Sequence, residues 1–229
     1  FISTVYFVTE PMIQRTLSKK IRELSKKFPV ISLNGPRQSG KTTLVKSVFP
    51  NYQYISLEDL DSRERAREDP RRFLGSFKKG VILDEAQQAP ELFSYIQTIV
   101  DASKQMGQFV LTGSQNFLLL EKISQSLAGR VAVLHLLPFS LEELSKTKYG
   151  KSSLDNFLFT GMYPAIYDRK IDPQTWHSNY ITTYIERDVR QIKQVGDLGT
   201  FQKFMRLCAG RSGQLLNLSE LGNECGVTH

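Results

Sequence analysis

A glycine-rich loop followed by lysine and threonine constrains this chain more than any other sequence feature. The stretch "LNGPRQSGKTTL" covers residues 33–44 and fits the pattern G-x-x-x-x-G-K-[ST]. An apolar segment precedes it and a helical pattern follows it, which is the context that a phosphate-binding loop (P-loop) requires; a plain polar turn is the alternative. Glycines let successive backbone amides point inward at the positive end of a helix, where they bind anions. The residues predicted to surround a bound nucleotide are Gly35, Pro36, Arg37, Gln38, Ser39, Gly40, Lys41, Thr42 and Thr43.

A pair of carboxylates provides the second element that such a loop needs. In "GVILDE", residues 80–85, an apolar strand pattern leads directly into Asp84 and Glu85. At the end of a neighbouring strand, Asp84 and Thr42 are predicted to hold Mg²⁺, while Glu85 orients the water that attacks the terminal phosphate. Lys41 is predicted to contact the outer phosphates. Two surface carboxylates that simply end a strand are the alternative.

Two later segments add candidates from their positions at strand ends. The stretch "QFVLTGS" ends with Thr112 and Ser114, which lie on one side of the strand, so either hydroxyl can contact the terminal phosphate. Polar residues also commonly end strands. Arg130 directly precedes the apolar segment 131–137 and is predicted to stabilise phosphate charge in its own site or in a neighbour's. An arginine after glycine is also common at a helix end.

The alternation of apolar strands with helical patterns predicts an α/β fold. Parallel strands need crossover helices, so a parallel sheet of five strands with helices on both faces is expected. After Pro138 the strand patterns stop and only helical patterns follow. The predicted strands are residues 29–35, 52–57, 80–86, 108–114 and 131–137.

Composition narrows the classes of partner and compartment. Lys plus Arg exceed Asp plus Glu by 30 to 23, which favours anionic partners without identifying one. Cys208, Cys225 and three histidines form neither a disulfide framework nor a metal cluster in the sequence, which fits a reducing compartment. Because no apolar run approaches the roughly 18 residues of a membrane helix, we predict a cytoplasmic protein with no membrane partner.

The order of these motifs resembles that of AAA+ ATPases, in which the arginine before the fifth strand is the arginine finger. More narrowly, the chain from Met12 onward resembles prokaryotic AAA+-type ATPases related to the STAND proteins. That resemblance implies ATP and Mg²⁺ as ligands, and it fits a homo-oligomer. It also implies an AAA+-like P-loop core over residues 12–142, a helical lid over 143–195 and the start of a winged-helix domain over 196–229, with residues 1–11 as an extension. The segments that carry the resemblance are "GPRQSGKTTL", "LDEAQQAPELF", "LTGSQNFLL", "SLAGR", "LPFSLEEL", "GMYPAIY" and "YITTYIERDV".

The predicted lid and C-terminal segment contain three further candidates. "GMYP" resembles the turn with which STAND-like lids contact adenine, which nominates Pro164, although a helix-breaking turn is equally consistent. Arg187 is a candidate second phosphate sensor. Near the C-terminus, Ser219 opens a short helix and Gly226 marks a tight turn, which is the pattern of the first half of a helix-turn-helix. Its second helix would begin near Thr228, so DNA is a candidate partner of this segment.

These observations predict Mg²⁺-dependent ATP hydrolysis that drives a conformational switch, with Glu85, Lys41 and Arg130 as catalytic residues. ATP is preferred over GTP because no N-K-x-D motif follows the fourth strand. Two alternatives remain open at this stage. One is a nucleotide-dependent switch or DNA-binding module with little turnover, and the other is a P-loop kinase that transfers phosphate to a small acceptor.

Overall fold

A parallel sheet of five strands, in the order β2-β3-β4-β1-β5, organises the first part of the chain. The structure is a computed structural model, and it describes residues 12–114, 126–185 and 197–227. The prediction of an α/β fold with a five-stranded parallel sheet is confirmed. The strands are β1 (Val30–Asn34), β2 (Gln53–Ser56), β3 (Val81–Asp84), β4 (Phe109–Gly113) and β5 (Val131–His135).

Helices connect the strands and continue after β5. Short 3₁₀ turns lie at Ala86–Gln88 and Lys148–Lys151, and a π-helical turn at Ile181–Ile185. In the described part of the chain, the helices are α1 (Leu17–Leu24), α2 (Lys41–Val48), α3 (Leu60–Glu68), α4 (Pro70–Gly75), α5 (Leu92–Ser103), α6 (Leu141–Ser145), α7 (Leu154–Thr160), α8 (Pro164–Arg169), α9 (Pro173–Tyr180), α10 (Leu198–Gly210) and α11 (Leu218–Cys225).

Burial on both faces explains why the central strands β1, β3 and β4 are mostly apolar. Successive side chains of a strand point to opposite faces, so Val30 packs into one apolar cluster with Phe93 of α5, while Ile31 packs into another with Leu44 of α2. Every residue of β1, β3 and β4 is buried. The sheet therefore holds its carboxyl ends in a fixed register, with Leu33 opposite Thr112.

The described residues divide into two compact units, one ending at Lys170 and the other beginning at Ile171. Within the first unit, two parts of the segment after β5 contact each other, because the Phe139 amide donates to the Met162 carbonyl oxygen at 2.8 Å. The predicted helical region after Pro138 is confirmed by α6 to α11. The predicted lid and winged-helix boundaries stay predictions.

Two properties of the described chain bear on partners. None of its helices combines the length and apolar character that a membrane crossing demands. Cys208 is exposed and Cys225 is buried, and both are free thiols.

At the C-terminal end, Asn217 caps α11 and Gly226 follows the helix in a left-handed conformation, as the predicted turn requires. Thr228 lies outside the described residues, so the helix-turn-helix stays a prediction.

Candidate functional site

The glycine-rich loop joins the end of β1 to the start of α2, and its two glycines are demanded by geometry. Gly35 has φ +148°, and a Cβ there would lie 2.1 Å from the carbonyl oxygen of Leu136. Gly40 is the N-cap of α2 at φ +91°, in the left-handed region. The first amides of α2 have no acceptor within the helix, and they face the loop at the positive end of the helix dipole. The strand, loop and helix therefore form the anion-binding arrangement that the sequence predicts.

Lys41 is a buried cation held inside this loop. Its side chain is largely covered, with the residue 6% exposed, and its Nζ donates to the carbonyl oxygens of Gly35 at 2.9 Å and Pro36 at 2.8 Å. Burial lowers the pKa of the Lys41 ammonium; the neighbouring carboxylates act in the opposite direction, and Arg37 adds to the lowering. A phosphate can therefore replace weak carbonyl acceptors with a charged one.

Asp84 ends β3, and its carboxylate accepts hydrogen bonds from hydroxyl groups on three different elements. Thr42 Oγ1 of α2 donates to Asp84 Oδ2 at 2.8 Å, and the Tyr54 hydroxyl of β2 donates to the same oxygen at 2.7 Å. Thr112 of β4 donates to Asp84 Oδ1. Burial, and then the bond to Asp84, raise the pKa of Tyr54, which keeps its proton as a donor. The three donors fix the orientation of a carboxylate that is itself 7% exposed.

These oxygens fit a magnesium ion that also binds phosphates. Mg²⁺ prefers hard oxygen ligands, and it usually keeps several waters while one or two carboxylates and substrate phosphates complete its shell. The hydroxyl of Thr42 and the carboxylate of Asp84 are such donors, and they already touch one another. In the ranges that the structure describes, no group of three or more His, Cys, Asp and Glu side chains forms a separate metal cluster.

Glu85 directly follows Asp84 but is held by a different set of partners. Its Oε2 accepts hydrogen bonds from Ser114 Oγ at 2.8 Å and from the Ser114 amide at 3.3 Å, and also from Gln87 Nε2. Its backbone adopts φ +54°, which a non-glycine residue rarely does and which recurs at functional sites. The two hydroxyls predicted to contact the terminal phosphate therefore have different partners: Thr112 donates to Asp84 and Ser114 donates to Glu85.

The tip of the loop reaches toward β2. Arg37 Nη1 lies 3.7 Å from Oε1 of Glu58, which follows that strand. Gln38 has φ +59° and is exposed, whereas Ser39 is fully buried. Thr43, in the first turn of α2, is exposed. All nine predicted loop residues thus lie between Asn34 and Leu44, but their side chains point in different directions.

An arginine anchor, which we define as Arg15 with Glu143, holds the loop from the opposite flank. Arg15 Nη1 donates to the Ser39 carbonyl oxygen at 2.8 Å and Nη2 to that of Leu137 at 2.5 Å. Its Nε donates to Glu143 Oε2 at 3.1 Å, and the two side chains are only 8% and 3% exposed. Burial lowers the pKa of Arg15, although Glu143 opposes this. The anchor ties the N-terminal segment and the segment after β5 to the P-loop.

Glu143 is held as firmly as its partner. Burial alone would raise its pKa, but hydrogen bonds from the Ser140 and Thr16 amides and the charge of Arg15 outweigh that effect, so the pKa lies below its ordinary value. Ser140 and Glu143 also form the capping box that starts α6. The capping pattern was readable in "SLEE", but nothing in the sequence indicated that its glutamate meets Arg15.

The "GMYP" turn lies beside the same flank. A Cβ placed on Gly40 would lie 3.6 Å from Arg15 Nη1 and 3.8 Å from Cγ of Pro164. Pro164 is the first residue of α8, where proline favours helix initiation rather than helix breaking. The structure thus brings the predicted adenine-contacting residue close to the P-loop. Its contact with adenine stays a prediction.

Arg130 lies at the amino end of the strands, opposite to the end that carries the P-loop. It precedes β5, whose first residue pairs with the first residue of β1, while the P-loop follows the last residue of β1. A five-residue strand at about 3.3 Å per residue separates the two ends by roughly 13 Å. Its guanidinium is bound by Asp101, with Nε–Oδ1 at 2.6 Å and Nη2–Oδ2 at 2.8 Å. Action in the chain's own site does not fit this geometry; action in a neighbour's site stays a prediction. Arg187 lies outside the described residues.

Comparison with known proteins agrees with this geometry. Residues 27–145 match the family model of an AAA domain, and residues 151–229 match that of a domain of unknown function. Uncharacterized proteins of Mycobacterium tuberculosis and Mycobacterium bovis are each 30% identical over 219 residues, which is 93% of this chain and 48% of the relative. The chain therefore spans about half the length of the curated relatives it matches.

A solved structure supports the fold over almost the whole chain. The Walker-type ATPase PABY2304 of Pyrococcus abyssi superposes with a TM-score of 0.58 at 16% identity, covering 95% of this chain and 90% of that one. At this identity the likeness concerns the fold alone.

Proposed function

This chain belongs to the AAA domain family, and we propose that it binds ATP with Mg²⁺ and hydrolyses it to ADP and phosphate. The observation that carries the proposal is the pairing of Thr42 with Asp84 at 2.8 Å beside the P-loop, with Glu85 next along the chain. A strand-to-helix turn with a structural role alone needs no such carboxylate pair. The carboxylates and the loop together are the parts that phosphoryl transfer to water requires.

Binding would begin at the loop. The amides at the start of α2 donate hydrogen bonds to phosphate oxygens. Lys41 exchanges its hydrogen bonds to the Gly35 and Pro36 carbonyl oxygens for bonds to the outer phosphates. Magnesium held by Thr42 and Asp84 would neutralise charge on those phosphates. The closeness of Pro164 to Gly40 supports an adenine contact from the turn before α8. The absence of N-K-x-D after β4 favours ATP over GTP.

Hydrolysis would use Glu85 as the residue that orients water. The carboxylate accepts a hydrogen bond from a water placed in line with the terminal phosphorus, while Ser114 and Gln87 hold it in position. The water oxygen bonds to the phosphorus as one of its protons passes to Glu85, the bond from the phosphorus to the bridging oxygen breaks, and the electron pair leaves on ADP; the proton then moves from Glu85 to the released phosphate. Lys41 stabilises the charge that develops on the transferring group.

The remaining predicted roles extend this proposal beyond a single site. Arg130 would serve the site of a neighbouring copy, which makes a homo-oligomer part of the proposal. Arg187 would be a second phosphate sensor, and hydrolysis would move the helices after β5 against the core. A DNA contact would involve the predicted helix-turn-helix that begins with α11 and Gly226. The capped helix and the left-handed turn support this part of the proposal.

The test measures binding and turnover separately. Wild-type protein should bind ATP in the presence of Mg²⁺, as measured by calorimetry, and should release phosphate without an added acceptor. Lys41→Ala should lose ATP affinity. Glu85→Gln should keep it but release phosphate roughly 100-fold more slowly. Lys78→Ala and Glu68→Gln, at exposed positions, are matched controls that should behave as wild type.

Three results would redirect the proposal. No affinity of the wild type for ATP with Mg²⁺ would remove its basis. Binding without turnover, unchanged by Glu85→Gln, would favour the nucleotide-dependent switch. Phosphate transfer that depends on a small-molecule acceptor would favour a P-loop kinase.

A further inference from the structure

The segments that lead into the strands carry cations without anions. All five strands are parallel, so their amino ends lie together, opposite to the end that carries the P-loop. The segments before β1, β2, β3 and β4, which are residues 25–29, 49–52, 76–80 and 104–108, contain no Asp or Glu. They contain five lysines, which we call the lysine row: Lys26, Lys27, Lys78, Lys79 and Lys104.

Backbone hydrogen bonds hold the lysine-bearing segments side by side. The Gly107 amide donates to the Phe28 carbonyl oxygen at 2.8 Å, and the Val81 amide donates to the Gln108 carbonyl oxygen at 3.2 Å. The segments before β3, β4 and β1 are therefore neighbours in the same order as their strands. At about 4.8 Å between neighbouring strands, the backbone under the lysine row spans roughly 10 Å.

The members of the lysine row are exposed and carry little counter-charge. All five residues are exposed. Among the described residues, only Lys27 has a carboxylate within ion-pair distance, that of Glu23 at 3.8 Å, and the two side chains are 65% and 53% exposed. Like charges along one surface repel one another, and a bound polyanion would remove that repulsion.

Helix dipoles explain only part of this charge. Lys104 is the C-cap of α5, and Lys26 closely follows the end of α1, where cations are favourable. Lys78 and Lys79 have no such helix end beside them, because α4 has six residues and already ends at Gly75. The effect of a helix dipole falls off within the last turn. A second reason is therefore needed for these two lysines.

The carboxyl end of the sheet has the opposite balance of charge. Segments 57–59 and 85–91, which follow β2 and β3, contain four Asp or Glu residues and no Lys or Arg. The cation that contacts the P-loop carbonyls, Lys41, belongs to that end. The lysine row lies a full strand length away from the P-loop, so it is not part of the proposed ATP site.

We propose that the lysine row binds the phosphate backbone of double-stranded DNA without reading its sequence. A DNA duplex carries one negative charge per about 1.7 Å of its axis, which suits a row of cations on segments tied to one another. Lysine acts as a point charge toward phosphate, and phosphate contacts carry no sequence information directly. The row belongs to the first compact unit, whereas the predicted helix-turn-helix belongs to the second.

Other anionic partners fit the same segments less well. Single-stranded nucleic acid is bound largely by stacking on aromatic side chains, but Phe28, Tyr52 and Phe77 pack against the two apolar clusters of the sheet. An acidic membrane attracts lysines too, but stable attachment takes a second anchor. The lysine-bearing segments expose one large apolar side chain, that of Met106.

The experiment measures binding of two short DNA duplexes of unrelated sequence by fluorescence anisotropy at several salt concentrations. We expect equal affinity for both duplexes. Five phosphate contacts predict a slope of about −4.5 in log affinity against log salt, which is a roughly 500-fold loss between about 50 and 200 mM salt. Replacing all five lysines by Gln should abolish binding of both duplexes and leave ATP affinity as in wild type.

Two double variants provide a matched comparison. Lys78→Gln with Lys79→Gln should reduce the magnitude of the salt slope by about 2. Lys146→Gln with Lys151→Gln removes the same charge from exposed positions outside the row, and it should leave the slope unchanged. An equal loss in both double variants would mean that net charge alone attracts DNA, and it would overturn the lysine row as a site.

Further outcomes would also overturn the proposal. One is a wild type that binds no duplex, and another is a five-lysine variant that binds duplexes as well as wild type does. Tighter binding of single-stranded DNA or duplex RNA would contradict the assigned partner. Vesicles containing phosphatidylserine and sedimentation without DNA test an acidic membrane and a second copy of the chain. If the five-lysine variant loses either of these interactions while its DNA affinity is unchanged, the row serves that partner instead.

Discussion

On one flank of the P-loop, Thr42 meets Asp84 across 2.8 Å, while on the other flank Arg15 meets the Ser39 carbonyl oxygen at the same distance. The first flank presents carboxylate and hydroxyl oxygens that can bind a metal ion and phosphates. The second flank is a buried ion pair whose donors and acceptors already satisfy one another. The loop is therefore shaped by one set of residues and used by another.

The largest expected effect tests whether the loop depends on its close approach to the segment after β5. Gly35→Ala places a Cβ 2.1 Å from the Leu136 carbonyl oxygen at a backbone angle that alanine rarely adopts. We expect a loss of roughly 5 kcal/mol in the free energy of unfolding, enough to leave little folded protein. Urea denaturation, or the yield of folded chain, measures it.

Gly75→Ala is the matched control for that substitution. Gly75 ends α4, and a Cβ there meets nothing within 4 Å. Because alanine loses less backbone entropy than glycine in a helix, this variant should be as stable as wild type or slightly more so. A Gly35→Ala protein with the stability of Gly75→Ala would contradict the close approach.

The next effect concerns the arginine anchor. Arg15→Leu leaves the buried carboxylate of Glu143 without its cation, which should cost about 3–4 kcal/mol of unfolding free energy. The double variant Arg15→Leu with Glu143→Leu should recover only part of that stability, because it no longer buries a charge but leaves the Thr16 and Ser140 amides without their acceptor. Chemical denaturation of the four proteins gives the coupling between the two sites.

ATP affinity, measured on the same variants, shows whether the arginine anchor positions the P-loop in addition to stabilising the fold. The double variant lacks the donor to the Ser39 carbonyl oxygen, so its ATP affinity should stay below that of wild type even where its stability recovers. Full recovery of both quantities would show that the anchor stabilises the fold without positioning the loop.

The two flanks also differ in how far the sequence could predict them. The P-loop pattern and the D-E pair indicated Thr42, Asp84 and Glu85 because parallel strands all end at the same edge of the sheet. The expectation that Asp84 ends a strand next to that of the P-loop was wrong, since β4 lies between β1 and β3. Arg15 and Glu143 are 128 positions apart and belong to no motif, so only the folded chain brings them together.

Residues at the strand ends were predicted only in part. Thr112 and Ser114 were both candidates from their positions, but their division between Asp84 and Glu85 depends on register. Tyr54 gave no signal, because a tyrosine inside a strand pattern fits a core position equally well. Arg130 was placed correctly before β5, yet its partner Asp101 could not be identified from sequence spacing.

Tyr54 allows a smaller test on the carboxylate flank. Tyr54→Phe removes one of three hydroxyl donors to Asp84 and should cost about 1–2 kcal/mol of unfolding free energy. Because Asp84 then loses one orienting contact, we also expect ATP binding to need a higher Mg²⁺ concentration. Calorimetric titration of ATP at a series of Mg²⁺ concentrations measures the shift without turnover.

Tyr52→Phe is the control, since it makes the same chemical change two residues earlier. The Tyr52 hydroxyl donates to the Gly107 carbonyl oxygen at 2.8 Å, away from Asp84. Its loss should cost about 1 kcal/mol of stability and leave the Mg²⁺ dependence unchanged. Equal Mg²⁺ dependence in the two variants would mean that Tyr54 contributes only stability.

The smallest expected effect lies at the far edge of the sheet. Arg130 pairs with Asp101 near the surface, and exposed ion pairs contribute little to stability. Arg130→Ala should therefore leave the urea midpoint and the ATP affinity of a dilute single chain unchanged, as should the control Arg22→Ala.

Phosphate release at high protein concentration should nevertheless fall if the arginine completes a neighbour's site. Mixing Arg130→Ala with Glu85→Gln then restores activity, because some interfaces combine an intact Glu85 with an intact Arg130. Weaker ATP binding by the dilute variant would contradict the separation of the two edges, and an inactive mixture would contradict action across an interface.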